Sequence, residues 1–170
     1  MIRMFEVAFG IPIFLIAGII QISIFGNISL LGGRADLMLL CIIAWSINDR
    51  TKYSWILVIL SGLIMSYLSA MPMNGFLWMY LLVWGIIRFI KTKIWEMPLI
   101  LMLFMTILGS LITNIGTLGL LFLRGASIRL IDAVSQILIP SLGLNVLLSI
   151  PVYALLNDVV NTIYIREETE

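Results

Sequence analysis

The chain has 170 residues, of which 62% are hydrophobic and 11% charged, with a formal net charge of +1 and a mean hydropathy of +1.15. About a quarter of the residues of an ordinary soluble domain are charged, so this chain lacks the polar side chains to cover a water-facing surface and reads as an integral membrane protein. The near-neutral charge carries no electrostatic footprint for nucleic acid. The absence of histidine removes the usual agent of proton transfer at neutral pH, and the single cysteine, Cys41, permits neither an internal disulfide nor a cysteine-based metal cluster.

Six apolar segments follow in chain order, each near the length that crosses hydrocarbon. The first runs from Val7 to Ile28, with Pro12 near its start. A signal peptide is the rival reading, but this apolar run exceeds a signal-peptide core and no small-x-small cleavage site follows, so a retained span is expected. The second, Leu31 to Ile47, contains the stretch GGRADLMLLCIIAWSIN. With only about a dozen apolar or small residues between Asp36 and Asn48, it is short for a span and long for a strand. The third runs from Tyr53 to Met71, the fourth from Gly75 to Ile90 and the fifth from Pro98 to Leu123. The sixth, Ala133 to Ile165, is interrupted by Pro140 and Pro151. It is too long for one straight crossing, and is expected to begin as an interfacial helix before Pro140 or to kink at Pro151. Runs such as LMLLCIIAW and WILVILSGLIM do not alternate as barrel strands do. The expected fold class is therefore all-α: one polytopic membrane domain over residues 1–170, of about six transmembrane helices, with no soluble module.

The charges orient this arrangement. With both termini cytoplasmic, the inner loops and ends hold Arg3, Arg50, Lys52, Arg88, Lys91, Lys93 and Arg166, and the outer loops hold Arg34, Arg124 and Arg129. That asymmetry follows the positive-inside rule and would degrade if the short second segment failed to cross. Trp45, Tyr53 and Trp95 suit an interfacial aromatic belt. The inner basic loop of Arg88, Lys91 and Lys93 offers a contact for anionic membrane lipid or a cytoplasmic partner.

Small residues mark the places where helices approach closely in lipid. Thr106, Gly109, Thr113 and Gly116 recur on one face of the fifth segment, with Ser110, Asn114 and Thr117 beside them; Gly62, Ser66 and Ala70 recur four apart in the third. Two readings stand: packing within the chain, or a groove for a partner's transmembrane helix. Asn145, in LGLNVLLSIP, carries an amide that must find a partner: either it has a structural role within the chain, with a carbonyl near Pro151 as one candidate, or it meets a partner or a lipid headgroup. Asp158 is expected to meet Arg166 or water. No paired carboxylates or cations lie in mid-segment, as a proton or ion pathway would need. The methionines are scattered among core positions and read as core rather than metal ligands, Met71 and Met73 around Pro72 being the best-placed pair, and Asn27 in an NIS triplet lies too close to the membrane to read as a glycosylation acceptor.

Three ordered elements resemble the bacterial rod shape-determining MreD family. The first is Arg34, Ala35, Asp36 and Leu37 followed by Met38, Leu39 and Leu40; the family carries proline where Ala35 stands. The second is Gly62 and Leu63, then Pro72, Asn74, Gly75 and Phe76, with Ser66 and Tyr67 near the place where the family has an acidic residue. The third is Asn145 to Tyr153, an asparagine, an apolar run and a Pro151-x-Tyr153 ending. The resemblance implies a non-catalytic scaffold subunit of the cell-elongation machinery for peptidoglycan in the bacterial inner membrane. It implies no cofactor and no metal. Its partners would be MreC, through it the RodA and penicillin-binding transpeptidase pair, and the actin-like MreB. The family fold resembles the substrate-binding component of energy-coupling-factor vitamin transporters, which makes a small-solute carrier the alternative. A membrane enzyme acting on lipid headgroups would need convergent charges that Arg34 with Asp36 and Arg129 with Asp132 do not supply.

Overall fold

The computed structural model describes residues 2–25, 32–69, 71–91, 97–126 and 129–168. Its elements are α1 (Ile2–Ile20), continued by a π turn at Gln21–Phe25, then α2 (Leu37–Ile47) and α3 (Ser54–Leu68). A 3-10 turn at Pro72–Asn74 leads into α4 (Gly75–Lys91), followed by α5 (Pro98–Leu123). The short α6 (Leu130–Ala133) passes through a second π turn at Val134–Leu138 into α7 (Ile139–Glu168). No strand occurs among the described residues. Asn27, Ala70, Lys93 and Trp95 lie outside them, as do the side chains of Pro72 and Arg166.

Three helical stretches are long and apolar enough to cross a membrane: Glu6–Phe25, Pro98–Leu123 and Ile131–Ile163. The second apolar segment forms a helix only from Leu37 to Ile47. Eleven residues rise about 16 Å, roughly half of a hydrocarbon core. The fold depends on where this short helix sits. Every residue from Met38 to Ile47 is buried, and α2 packs against α1, α3, α4, α5 and α7. A helix that is apolar all round buries all round when other helices enclose it. Around it gather Phe14 of α1, Leu57 and Val58 of α3, Tyr80, Val83 and Ile87 of α4, Met102 and Met105 of α5, and Leu156 and Val160 of α7. The Phe14 ring meets Trp45 edge to face, with centroids 5.8 Å apart.

The last segment, interrupted in sequence by Pro140 and Pro151, is helical throughout. Helix persists from Leu130 to Glu168, with the π turn at Val134–Leu138 just before Pro140. Proline lacks the N–H that would return to the carbonyl four residues back, and a π turn is a common way to absorb that missing bond within a helix. The backbone at Gly33 lies so close to Pro140 and Ser141 that a Cβ there would overlap both. The segment before α2 is thereby seated on the start of α7. Helix α7 continues through Pro151 without ending.

Candidate functional site

A helix leaves its first N–H groups and last C=O groups without internal partners. On a short helix enclosed by others those groups must be satisfied by the protein itself. At both ends of α2 polar side chains meet them, some from the flanking residues Asp36 and Thr51 and others from the surrounding elements.

At the first end Asp36 is the N-cap, and its carboxylate accepts from the Leu39 N–H at 3.0 Å. The Tyr80 hydroxyl of α4 donates to both carboxylate oxygens, at 2.9 and 3.1 Å. The Asp36 N–H donates to Asn145 Oδ1 of α7 at 2.7 Å, and Asn145 Nδ2 donates to Ser110 Oγ of α5 at 2.8 Å. Gln21, in the π turn after α1, brackets the same end. Its amide accepts from the Leu37 N–H at 2.7 Å and donates to the Ala35 carbonyl at 2.9 Å. The Arg34 N–H donates to Ser141 Oγ at 2.9 Å. Tyr80, Ser110, Ser141 and Asn145 are all buried. One carboxylate and two amides thus join the chain around α1, α2, α4, α5 and α7.

At the second end the groups are of opposite polarity. The Lys91 ammonium, at the end of α4, donates to the Asn48 carbonyl at 2.8 Å and the Ser46 carbonyl at 3.4 Å. It also pairs with Asp49 at 3.0 Å. The Thr51 hydroxyl donates to the Trp45 carbonyl at 2.6 Å. Asn48 Nδ2 donates to Asn157 Oδ1 of α7 at 3.1 Å. Nearby, the buried carboxylate of Glu6 in α1 accepts from the backbone N–H groups of Lys52 and Tyr53 just before α3. A cation at a helix C-terminus and an anion at its N-terminus both complement the helix dipole.

The sequence-derived site residues fall into three groups. Asp36 and Asn145, more than a hundred positions apart, are directly bonded. Leu37 meets Gln21, while Pro151 is exposed and Tyr153 half-buried on α7. Among the described residues, the small residues of both faces lie against other helices of the chain, the first of the two readings. At Gly62 a Cβ would lie 2.5 Å from Leu77 Cα of α4, and Ser66 Oγ accepts from the Leu77 N–H at 3.3 Å. Gly109 faces Ile43 and Leu39 of α2, and Gly116 faces Met79 of α4. Thr106 and Thr113 are buried, the Thr113 hydroxyl donating back to the Gly109 carbonyl at 3.1 Å. Gly75 is buried against Leu120. In the inner basic loop, Arg88 is exposed, but Lys91 is committed to α2 and its side chain is only 12% exposed. The Asn145 amide finds its partners within the chain, and they are Asp36 and Ser110 rather than a carbonyl near Pro151.

Sequence reasoning did not single out Tyr80, Gln21, Ser141 or Glu6. The available signal was a polar atom inside an otherwise apolar helix, which must find a buried partner. Set against family models, curated proteins and solved structures, the chain matches none of them.

Proposed function

We propose that this chain is a non-catalytic membrane scaffold of the MreD kind. It is a multi-pass subunit of the peptidoglycan elongation machinery that holds the transmembrane helix of MreC and, through it, the RodA and penicillin-binding transpeptidase pair, with MreB on the cytoplasmic side. In this reading all six apolar segments cross the bacterial inner membrane. Helix α2 crosses as a short central rod whose capped ends lie below the lipid surface, and both termini are cytoplasmic. Arg50, Lys52, Arg88 and Lys91 belong to the Asn48 end of the bundle, which under the positive-inside rule is the cytoplasmic end.

The observation that carries the proposal is the bond between Asp36 and Asn145. Two of the three elements behind the family resemblance, Arg34–Leu40 and Asn145–Tyr153, are joined there. The polar residues that a carrier or an enzyme would present to a solute are committed to holding the helices in place: Asp36, Tyr80 and Asn145 all have protein partners. The large remaining surface is apolar, with Ile16, Ile19, Trp78, Phe104, Leu147 and Leu155 all exposed. Such faces suit lipid and partner helices.

Affinity purification of the chain from its native membrane in mild detergent, followed by mass spectrometry, tests this. Recovery of MreC with the wall synthase pair is expected. A chain recovered without them, but retaining a vitamin-like small molecule, would replace the scaffold with a carrier.

A further inference from the structure

The proposed scaffold needs a face on which a partner helix can lie, and the small-residue faces inside the bundle are already filled. Of the three membrane-length helices, the stretch Ile131–Ile163 is both the longest and the least enclosed by the rest of the chain. Its uncovered side is a regular stripe. Ile139, Gly143, Leu147, Ile150, Ala154 and Asp158 are all exposed and recur at spacings of three and four, which places them on one helical face.

Three features suit this stripe to a partner helix, and the third, a carboxylate, is absent from the exposed sides of α1 and α4 among the described residues. First, it has low places: no atom lies within 4 Å of a Cβ built at Gly143, and Ala154 is small, so a second backbone can come close there. Second, Pro151 has no N–H to return to the Leu147 carbonyl, and Leu147 is 71% exposed. Third, the stripe ends in a carboxylate. Asp158 is adjacent to Asn157, which bonds to Asn48 at the far end of α2. Among the described residues its side chain has no ion pair or hydrogen bond; only its backbone carbonyl is used, by Thr162. Lys91, at the same end of the bundle, is already paired with Asp49. An acidic group on the lipid-facing side of a helix, at the end where membrane proteins collect Lys and Arg, is complementary to the basic residues that flank the cytoplasmic end of a single-pass helix.

We infer that the Gly143–Leu147–Ile150–Ala154–Asp158 face of α7 is the docking surface for one transmembrane helix that carries a lysine or arginine level with Asp158. The inference rests on the scaffold reading and adds the face and the charge that select the partner. Packing at Gly143 and Ala154 supplies closeness, and the ion pair at the membrane edge sets the register along the helix axis.

The test uses the full chain co-expressed with MreC as the single-pass probe, with a photo-crosslinking residue placed singly at Leu147, Ala154, Ile16 of α1 or Leu82 of α4. Crosslinks to MreC are expected from Leu147 and Ala154 and not from the other two. Asp158→Lys is expected to lower MreC recovery about five-fold, as loss of a close charge pair does, and exchanging the facing basic residue of MreC for aspartate is expected to restore it. Ala154→Trp, which adds bulk only on an exposed face, is expected to reduce recovery while leaving the detergent-solubilised chain monodisperse. If MreC is recovered but crosslinks come only from Ile16 or Leu82, with Asp158→Lys without effect, the face is wrong and the scaffold reading stands. If the unaltered chain recovers no MreC, both fall.

Discussion

The two ends of α2 solve one problem with opposite chemistry. At the Asp36 end, N–H groups are met by a carboxylate, a glutamine amide and an asparagine amide; at the Asn48 end, carbonyls are met by an ammonium and a hydroxyl. The environments also differ. Around Asp36 the partners Tyr80, Ser110, Ser141 and Asn145 are all buried, whereas at the other end Asp49, the counterion of Lys91, is 62% exposed. Water can replace a lost partner near Asp49 and cannot near Asn145, so equal numbers of bonds carry unequal weight. The first end joins α2 to α4, α5, α7 and the π turn after α1; the second anchors α2 to α4 and α7.

That contrast orders the effects of substitution, each read by thermal or denaturant unfolding in detergent. Asn145→Ala is expected to be the most damaging, at about 3 kcal/mol, because it opens a cavity and strands both the Asp36 N–H and the Ser110 hydroxyl. Asp36→Ala comes next, at about 2 kcal/mol, through loss of the cap and of the buried Tyr80 hydroxyl's acceptor; Asp36→Asn keeps one acceptor and should recover about half of that. Thr51→Val, which leaves the Trp45 carbonyl unpaired, and Lys91→Met should each cost about 1 kcal/mol. Asp158→Asn, on the exposed face of α7, should change stability by less than about 0.5 kcal/mol. A Lys91→Met loss that matched or exceeded that of Asn145→Ala would break the contrast between a sealed end and an open one.

Part of this was legible beforehand. Unbroken apolar runs without alternation specify helices, and the described residues contain helices alone. The proline at Pro98 starts α5 as a first-turn proline should, and Leu123 ends it. Asp36, ahead of an apolar run, is a residue type that caps helices, and it does. The central position of α2 was not legible, because a helix apolar on all sides has the same composition whether lipid or protein surrounds it. The small-residue stripes were ambiguous for a related reason. Gly62 and Gly109 signal that something approaches closely, but only the packed structure shows that it is Leu77 in one case and Ile43 with Leu39 in the other. Tyr80 was hidden among the aromatic residues of α4, where a phenol reads as an interfacial ring until its hydroxyl is seen on Asp36.

The claim that polar side chains from the surrounding helices hold α2 in place is tested most directly at the contact between its N-cap and α4, by a double-mutant cycle of Asp36→Ala and Tyr80→Phe measured by unfolding in detergent. The two residues are predicted to couple by about 1 to 2 kcal/mol, the double variant losing less than the sum of the singles. Effects that add to within about 0.3 kcal/mol would show that the phenol and the carboxylate do not support each other, and would contradict the account.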